Sequence, residues 1–330
     1  MNAFKAFRIH QVAKQIVARF ESLRLEDLAA GEVVIRVRFS GINYKDALAA
    51  TGAGKILRKY PLVGGIDLAG VVESSMDARF KPGDRVLVTG NSLSETHDGG
   101  YAEYARVPGD WVFHLPDGLD EQQVMALGTA GFTAAMAIHR MERNGQVPGA
   151  GPIVVTGATG GVGSIAIDML SRRGYEVVAV TGKETQTEYL RGLGASRVLL
   201  RRAIQFGTRP LEAVEFAGAI DNVGGPTLAW LTRTVGYFGN IASIGLAGGP
   251  QLETTVMPFI LRGVSLLGIN SSAVPRAQRS EIWARIGSDL KPAHLDRITT
   301  RVLPFTELPA AFQGYLDGSV VGRTVVRIGT

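Results

Sequence analysis

Residues 153–183, IVVTGATGGVGSIAIDMLSRRGYEVVAVTGK, decide how the rest of the chain is read. The β-branched run Ile153–Thr156 enters a glycine-rich turn, and amphipathic helical periodicity follows through Asp168–Arg173. A second β-branched run, Val177–Thr181, closes one βαβ unit. Ala158, Gly160 and Gly163 have the A-x-G-x-x-G spacing, a dinucleotide fingerprint with alanine in the first place. Small residues there allow a tight turn and a close approach to a pyrophosphate, whose charge the helix N-terminus favours. Gly163 would let the helix pack close on the strand.

The end of the second strand says which nucleotide. An NAD site commonly places Asp or Glu there to accept from the ribose 2′-hydroxyl. This chain has Thr181, Gly182 and Lys183 instead. A hydroxyl and a cation suit a 2′-phosphate, and Arg201, after the apolar run Val198–Leu200, could supply a second cation. Glu184 reads as a first-turn helix carboxylate favoured by the dipole and pointing away from the ribose. The expected cofactor is NADPH.

The 330 residues favour about two domains. The chain has no cysteine, which removes disulfides, thiolate metal sites and cysteine nucleophiles. The net charge of +5 is modest and dispersed, without the basic face of a nucleic-acid module. MNAFKAFRIHQ lacks the apolar core of a signal peptide, and no window reaches a membrane span, so a cytoplasmic location is expected.

Before residue 120 the chain is β-rich. Phe4–Arg8, Ile16–Phe20 and Glu32–Phe39 are short strand candidates, Asn43–Ala50 a short helix, and strands follow near 65–75, 81–90 and 99–108. Many short strands between turn signals suggest a partly closed barrel. Asp120–His139 is helical with an interruption at Gly128–Gly131. The alternation then becomes helix Glu184–Leu193, strand Arg197–Leu200, strand Gly218–Val223, helix Pro226–Thr234, strand Asn240–Ile244, helix Thr255–Leu261 and strand Val264–Ile269. This is the pattern of a doubly wound parallel α/β sheet. Helix Arg276–Leu290, strand Ile298–Leu303, helix Leu308–Leu316 and strand Gly322–Ile328 complete the chain. The expected division is a β-rich domain from 1–125 and 272–330 with a Rossmann domain, 126–271, inserted in it, and a ligand in the cleft.

In this order, GINYKDALA (41–49), GIDLAGVV (65–72), KPGDRV (81–86), GGYAEY (99–104), GTAGFTAAMAI (128–138) and GATGGVG (157–163) resemble the medium-chain dehydrogenase/reductase superfamily. The resemblance covers nearly the whole length and implies that the β-rich domain is GroES-like. Zinc alcohol dehydrogenases of that superfamily carry a cysteine and a G-H-E triplet at the metal. The matching positions are Asn43 and Gly65–Ile66–Asp67, and the five histidines show no ligand spacing, so no metal is expected. The chain is thus similar to the zinc-independent, quinone-oxidoreductase-like branch.

Hydride addition to a conjugated carbon–carbon double bond suits such a site. The carbonyl takes the charge as an enolate, a donor stabilises it, and the α-carbon takes a proton. Asn43, Tyr44 and Lys45 are the candidate catalytic cluster, against a plain reading in which Lys45 and Asp46 form an ion pair. A narrower likeness, to acrylyl-CoA reductases, rests on NYKD (43–46), TGKET (181–185), SRVLLR (196–201), GLAGG (245–249), TTVMPFILRGVSLLGINS (254–271) and GRTVV (322–326). It implies NADPH-dependent reduction of acryloyl-CoA to propionyl-CoA. It also implies cofactor contacts at Tyr44, Thr159, Gly160, Gly161, Val162, Thr181, Gly182, Lys183, Arg201, Leu246, Ile260 and Ser271. Lys183 stands where arginine is frequent in that family, which keeps the charge but loses the bidentate fork. VMPFILRG (256–263) reads most simply as a core helix; the family places it near the nicotinamide and in a homodimer interface. Arg262 or the late arginines are candidates for the CoA phosphates. A zinc-free quinone or enone reductase and a non-catalytic NADPH-binding protein are the alternatives.

Overall fold

A computed structural model describes residues 3–329. The first part of the chain holds β1 (Phe4–Val12), β2 (Gln15–Leu23), β3 (Val33–Ile42), α1 (Tyr44–Thr51), β4 (Leu62–Val63), β5 (Asp67–Ser75), β6 (Arg85–Thr89), β7 (Tyr104–Val107) and β8 (Phe113–His114). After α2 (Glu121–Arg143) come β9 (Ile153–Thr156), α3 (Gly161–Arg172), β10 (Val177–Thr181), α4 (Thr187–Gly192), β11 (Arg197–Leu200), β12 (Phe216–Asp221) and α5 (Gly225–Thr234). There follow β13 (Val235–Ser243), α6 (Met257–Arg262), β14 (Ser265–Gly268), α7 (Arg276–Ile286), α8 (Leu295–Ile298), β15 (Thr299–Pro304), α9 (Leu308–Leu316) and β16 (Arg323–Arg327). They form two compact units. One runs to Thr129 and takes in Ser272–Gly287 and the chain from Leu295; the other is Ala130–Ser271 with Ser288–His294.

The first unit is β-rich. Its larger sheet has the order β15-β16-β3-β5-β6-β8, with β7 also on β3, and a second sheet is β2-β1-β4. β15 and β8 end the larger sheet without pairing to each other, so the barrel is only partly closed, as its turn-rich sequence predicts. The alternation in VVIRVRFS sends Val33, Ile35 and Val37 inward, each fully buried, and leaves Arg36 and Arg38 half-exposed. Each such aliphatic burial is worth roughly 1.5–3 kcal/mol. Phe7 joins the two sheets' core, its ring 5.2 Å from Phe20 and 5.8 Å from Phe312.

The second unit is a six-stranded parallel sheet, order β11-β10-β9-β12-β13-β14. Strand β9 is buried along its whole length, which its unbroken apolar run requires when helices cover both faces. The strand order reverses between β9 and β12, and ligands of such sheets bind outside the carboxyl ends at that reversal.

Three expectations shift for tertiary reasons. The helix break at 128–131 narrows to Gly128 (φ 49°, ψ −151°), a left-handed turn where a Cβ would stand 2.6 Å from an Asp67 carboxylate oxygen. α7 stops at Ile286 rather than Leu290, because Ser288–His294 attach to the second unit. There the buried Asp168 accepts from the amides of Ala293 (3.3 Å) and His294 (2.8 Å) and from the His294 ring. β13 starts five residues before the expected strand, and its pairing with β12 slips where Tyr237 and Phe238 swing outward, Phe238 at φ 56°. Among the described residues no helix is long and apolar enough to cross a membrane.

Candidate functional site

In the second unit the carboxyl ends of β9 and β12 are tied together. Thr156 Oγ1 donates to Asp221 Oδ1 (2.6 Å), and the Asn222 side-chain amide donates to the Thr156 carbonyl (2.8 Å). Burial pushes the fully enclosed Asp221 carboxyl up, and the Gly224 amide donating to it pulls the other way. The chain then turns through Gly157–Gly160 into α3, with Gly160 as the N-cap. A Cβ on Gly163 would lie 2.4 Å from the Gly157 carbonyl oxygen and 2.8 Å from Ala158 Cα. Only glycine admits this approach of helix to turn. Ala158, Thr159, Gly160, Gly161, Val162 and Gly163 therefore form one backbone cradle, and the first-turn amides of α3 have no carbonyl within the helix to bond.

Beside this cradle, a cavity of about 400 Å³ is lined by Thr181, Gly182, Glu184, Leu200, Arg201, Arg202 and Phe206, among others. The Arg201 guanidinium lies over Gly182, where a Cβ would reach it at 3.6 Å. The buried Thr181 hydroxyl accepts from the Lys183 backbone amide (3.0 Å), which leaves its own proton to donate. The strand end thus joins Thr181, Gly182 and Arg201 at one cavity, with Lys183 contributing its backbone just beyond it. Glu184 corrects the sequence reading: it lines the same cavity, and its carboxylate pairs with Arg202. Arg202 was visible only as half of an Arg–Arg pair; the turn that follows β11, residues 201–203, turns it to the cavity. These residues fit a dinucleotide bearing a 2′-phosphate.

Leu246, three residues beyond β13, and Ile260, on α6, are exposed; Ser271, beyond β14, is half-buried. The core-helix reading of 256–263 does not hold, since Val256, Ile260 and Leu261 are exposed and only Pro258 and Arg262 of α6 are buried. Arg262 cannot meet CoA phosphates, because its guanidinium donates to the carbonyls of Arg233, Val235 and Glu212. Arg276 is likewise committed to the carbonyls of Asp110 and Val112, and Arg279 is buried on Thr89.

In the β-rich unit the candidate catalytic cluster opens α1. Asn43 does not offer a free amide. Its Nδ2 donates to Asp67 (2.8 Å) and Asp46 (3.1 Å), while its Oδ1 accepts from Arg323 Nη1 (3.1 Å). Asp67, fully buried, also accepts from the Thr129 amide (3.0 Å) and hydroxyl (2.6 Å). Arg323 is held by the carbonyls of Ala126 and Ile42. The oxyanion-donor role expected of Asn43 is therefore filled by nothing on this side chain; Asn43 fixes the helix start. Lys45 pairs with Glu95 and not with Asp46, whose carboxylate turns inward to the amides of Asn43 (2.8 Å) and Ile66 (3.0 Å). Tyr44 is about half exposed.

Burial, with the Asp67 charge nearby, pushes the Asp46 carboxyl from its ordinary 3.8 up to about 7, against the pull of the Asn43 and Ile66 donors. Between those values the folded state holds a proton that the unfolded state has lost, so stability falls as pH rises from about 4 to 7 and is level above. Asp46→Asn should remove that slope. Urea midpoints measured at pH 5 and 8 test this; an unchanged slope in the variant would rule Asp46 out as its source.

Asn43 and Asp67, the counterparts of zinc ligands, spend their oxygens on N–H, O–H and guanidinium donors, and no thiolate is available. Among the described residues no group of three or more His, Cys, Asp or Glu is placed to hold a metal. A parallel sheet with a glycine-rich backbone cradle at its reversal and a β-rich unit with a polar helix start together mark a nucleotide-dependent oxidoreductase of two domains.

Comparison with known proteins specifies the family. Residues 29–117 match the alcohol dehydrogenase GroES-like domain, and 161–287 the family described as zinc-binding dehydrogenase. The acrylyl-CoA reductase AcuI of Ruegeria pomeroyi is 47% identical over 94% of this chain and 94% of its own. YhfP of Bacillus subtilis, provisionally named a quinone oxidoreductase, is 47% identical over 98% of this chain and 99% of its own; a crystal structure of it has NAD bound. The YhdH oxidoreductase of Salmonella enterica, crystallised with NADP, superposes with a TM-score of 0.95 at 45% identity, covering 98% of this chain and all of that one. The chain belongs to the medium-chain dehydrogenase/reductase superfamily, in its quinone-oxidoreductase-like, acrylyl-CoA-reductase-like branch.

Proposed function

We propose that this protein reduces the conjugated double bond of acryloyl-CoA to propionyl-CoA with NADPH. The observation that carries the substrate class is the 47% identity to an acrylyl-CoA reductase over nearly the whole of both chains. The cofactor is NADPH, in keeping with the cavity that joins Thr181, Gly182 and Arg201. When bound, it supplies a hydride for the β-carbon. The chain's own residues do the rest. The amides at the start of α3 take the pyrophosphate, and Thr181 with Arg201 takes the 2′-phosphate. Arg202 stands by as a further cation, partly neutralised by Glu184. We assign Tyr44 to the nicotinamide, as the family resemblance implies, and Lys45 to the α-carbon proton, and the Asn43–Asp46–Asp67–Arg323 network fixes both on the first turn of α1. Substrate charge builds on the thioester oxygen, where a hydrogen-bond donor would stabilise the transition state more than the ground state.

A zinc-free quinone reductase is the second reading, favoured by the name of the B. subtilis relative. Steady-state rates with NADPH on acryloyl-CoA, crotonyl-CoA, free acrylate and a simple benzoquinone separate the two. The proposal expects kcat/KM for acryloyl-CoA to exceed that for the quinone and for acrylate by about 100-fold, since remote CoA binding is spent on the transition state. A quinone preference would replace it. The exposed apolar residues of α6, with the open edge of β14, are the surface on which we place a second copy. Sedimentation as a single 35.1 kDa species would contradict the dimer.

A further inference from the structure

Two local rules are broken around one ion pair. Lys45 is the second residue of α1, where the helix dipole disfavours a cation. Its partner Glu95 sits on a loop in which Asn91, Ser92 and Ser94 all take left-handed backbone, at φ 51°, 69° and 57°. Each such non-glycine residue is costly, and clusters of them persist where the surroundings hold them for a purpose. Here the surroundings are firm. Leu93 is fully buried, and Asp98 accepts from the amides of Ala29 (2.7 Å) and Val63 (2.8 Å). The His97 ring is fixed to the Ala30 carbonyl, and the Glu95 carbonyl accepts from the Arg58 amide (2.8 Å). The strained loop thus delivers a carboxylate to a lysine that its helix would otherwise disfavour. The Lys45 side chain keeps about a third of its surface open, and that of Glu95 about a sixth. The lysine is the accessible member and the glutamate the supporting one.

We propose that Glu95 is a positioning residue that holds the Lys45 ammonium in the direction from which it protonates the substrate α-carbon. This rests on the reading of the reaction given above and adds a residue to it. In the step, an N–H bond of Lys45 breaks, the enolate electron pair forms the new Cα–H bond and the carbonyl is restored. The amine left on Lys45 regains its proton from water. No further oxidant or reductant enters.

The test is the configuration of the new α-C–H bond. Reductions of acryloyl-CoA and of 2-cyclohexenone are run in deuterium oxide with wild type, Glu95→Gln, Glu95→Asp and Lys45→Met, and the products' α-deuterium is assigned by NMR after conversion to a chiral ester or a chiral ketal. Wild type should deuterate one face. Lys45→Met should lose kcat by about 100-fold and scramble the face. Glu95→Gln should scramble it in part and lower kcat roughly tenfold with little change in KM, while Glu95→Asp restores the single configuration. Melting temperatures should stay within about 3 °C, since a partly exposed ion pair adds little stability. Wild-type configuration and kcat in Glu95→Gln would overturn the proposal, as would a loss of activity matched by a loss of fold. If wild type reduces cyclohexenone and ignores acryloyl-CoA, the thioester reading fails, and Glu95 is decided on the cyclohexanone product. A wild type that reduces only quinones has no α-carbon to protonate and overturns the proposal as well.

Discussion

Gly163→Ala should bind NADPH about 100-fold more weakly than the parent protein and melt several degrees lower. The added methyl would meet the Gly157 carbonyl oxygen at 2.4 Å and the Ala158 backbone at 2.8–3.0 Å. These are main-chain atoms, so no rotamer change can relieve the contact. α3 must retreat from the turn, at a cost of about 1–3 kcal/mol in stability. The retreat also moves the amides that we assign to the pyrophosphate, and a displacement near 1 Å in a positioned site costs on the order of 100-fold. Titration of protein fluorescence with NADPH measures the binding, and a thermal melt measures the stability. Unchanged affinity in a destabilised variant would mean that this turn is not the cradle.

Arg201→Glu should raise KM for NADPH by about 100-fold while KM for NADH moves less than about threefold. A charge-assisted hydrogen bond to a phosphate is worth roughly 1.5–3 kcal/mol, and each 1.4 kcal/mol is a factor of ten. The substitution removes that bond and sets a carboxylate against the 2′-phosphate, whereas the NADH ribose offers hydroxyls that a carboxylate can accept from. The Glu184 carboxylate already lines this cavity, so the reversal would put two carboxylates there beside Arg202. Equal losses with both cofactors would remove the basis for the phosphate site.

Much of this was legible in the sequence because it is local. The run Ile153–Thr156, the small residues at 158, 160 and 163, and the run Val177–Thr181 lie within one βαβ unit, and each signal needs only its neighbours. Helix Leu308–Leu316 falls where its periodicity puts it. What the sequence withheld depends on distant partners. Asn43 reads as a member of the candidate catalytic cluster, and two of the partners that tie it down, Asp67 and Arg323, are 24 and 280 residues away. Glu184 read as an outward carboxylate until Arg202 came back past it from the end of β11. The segment 256–263 has a core's composition and a surface's exposure, and composition alone does not separate a buried apolar helix from one that awaits a partner. Glu95 carried no signal at all, since the strained backbone that aims it is a property of the folded loop.

The central claim is tested most directly in the acryloyl-CoA reaction of the substrate panel, run in ordinary water with NADPH deuterated at the transferable position. Propionyl-CoA should form in step with NADPH consumption and carry one deuterium, on the β-carbon. Deuterium on a product aldehyde, or acryloyl-CoA recovered unchanged from an enzyme that reduces the quinone, would contradict the account.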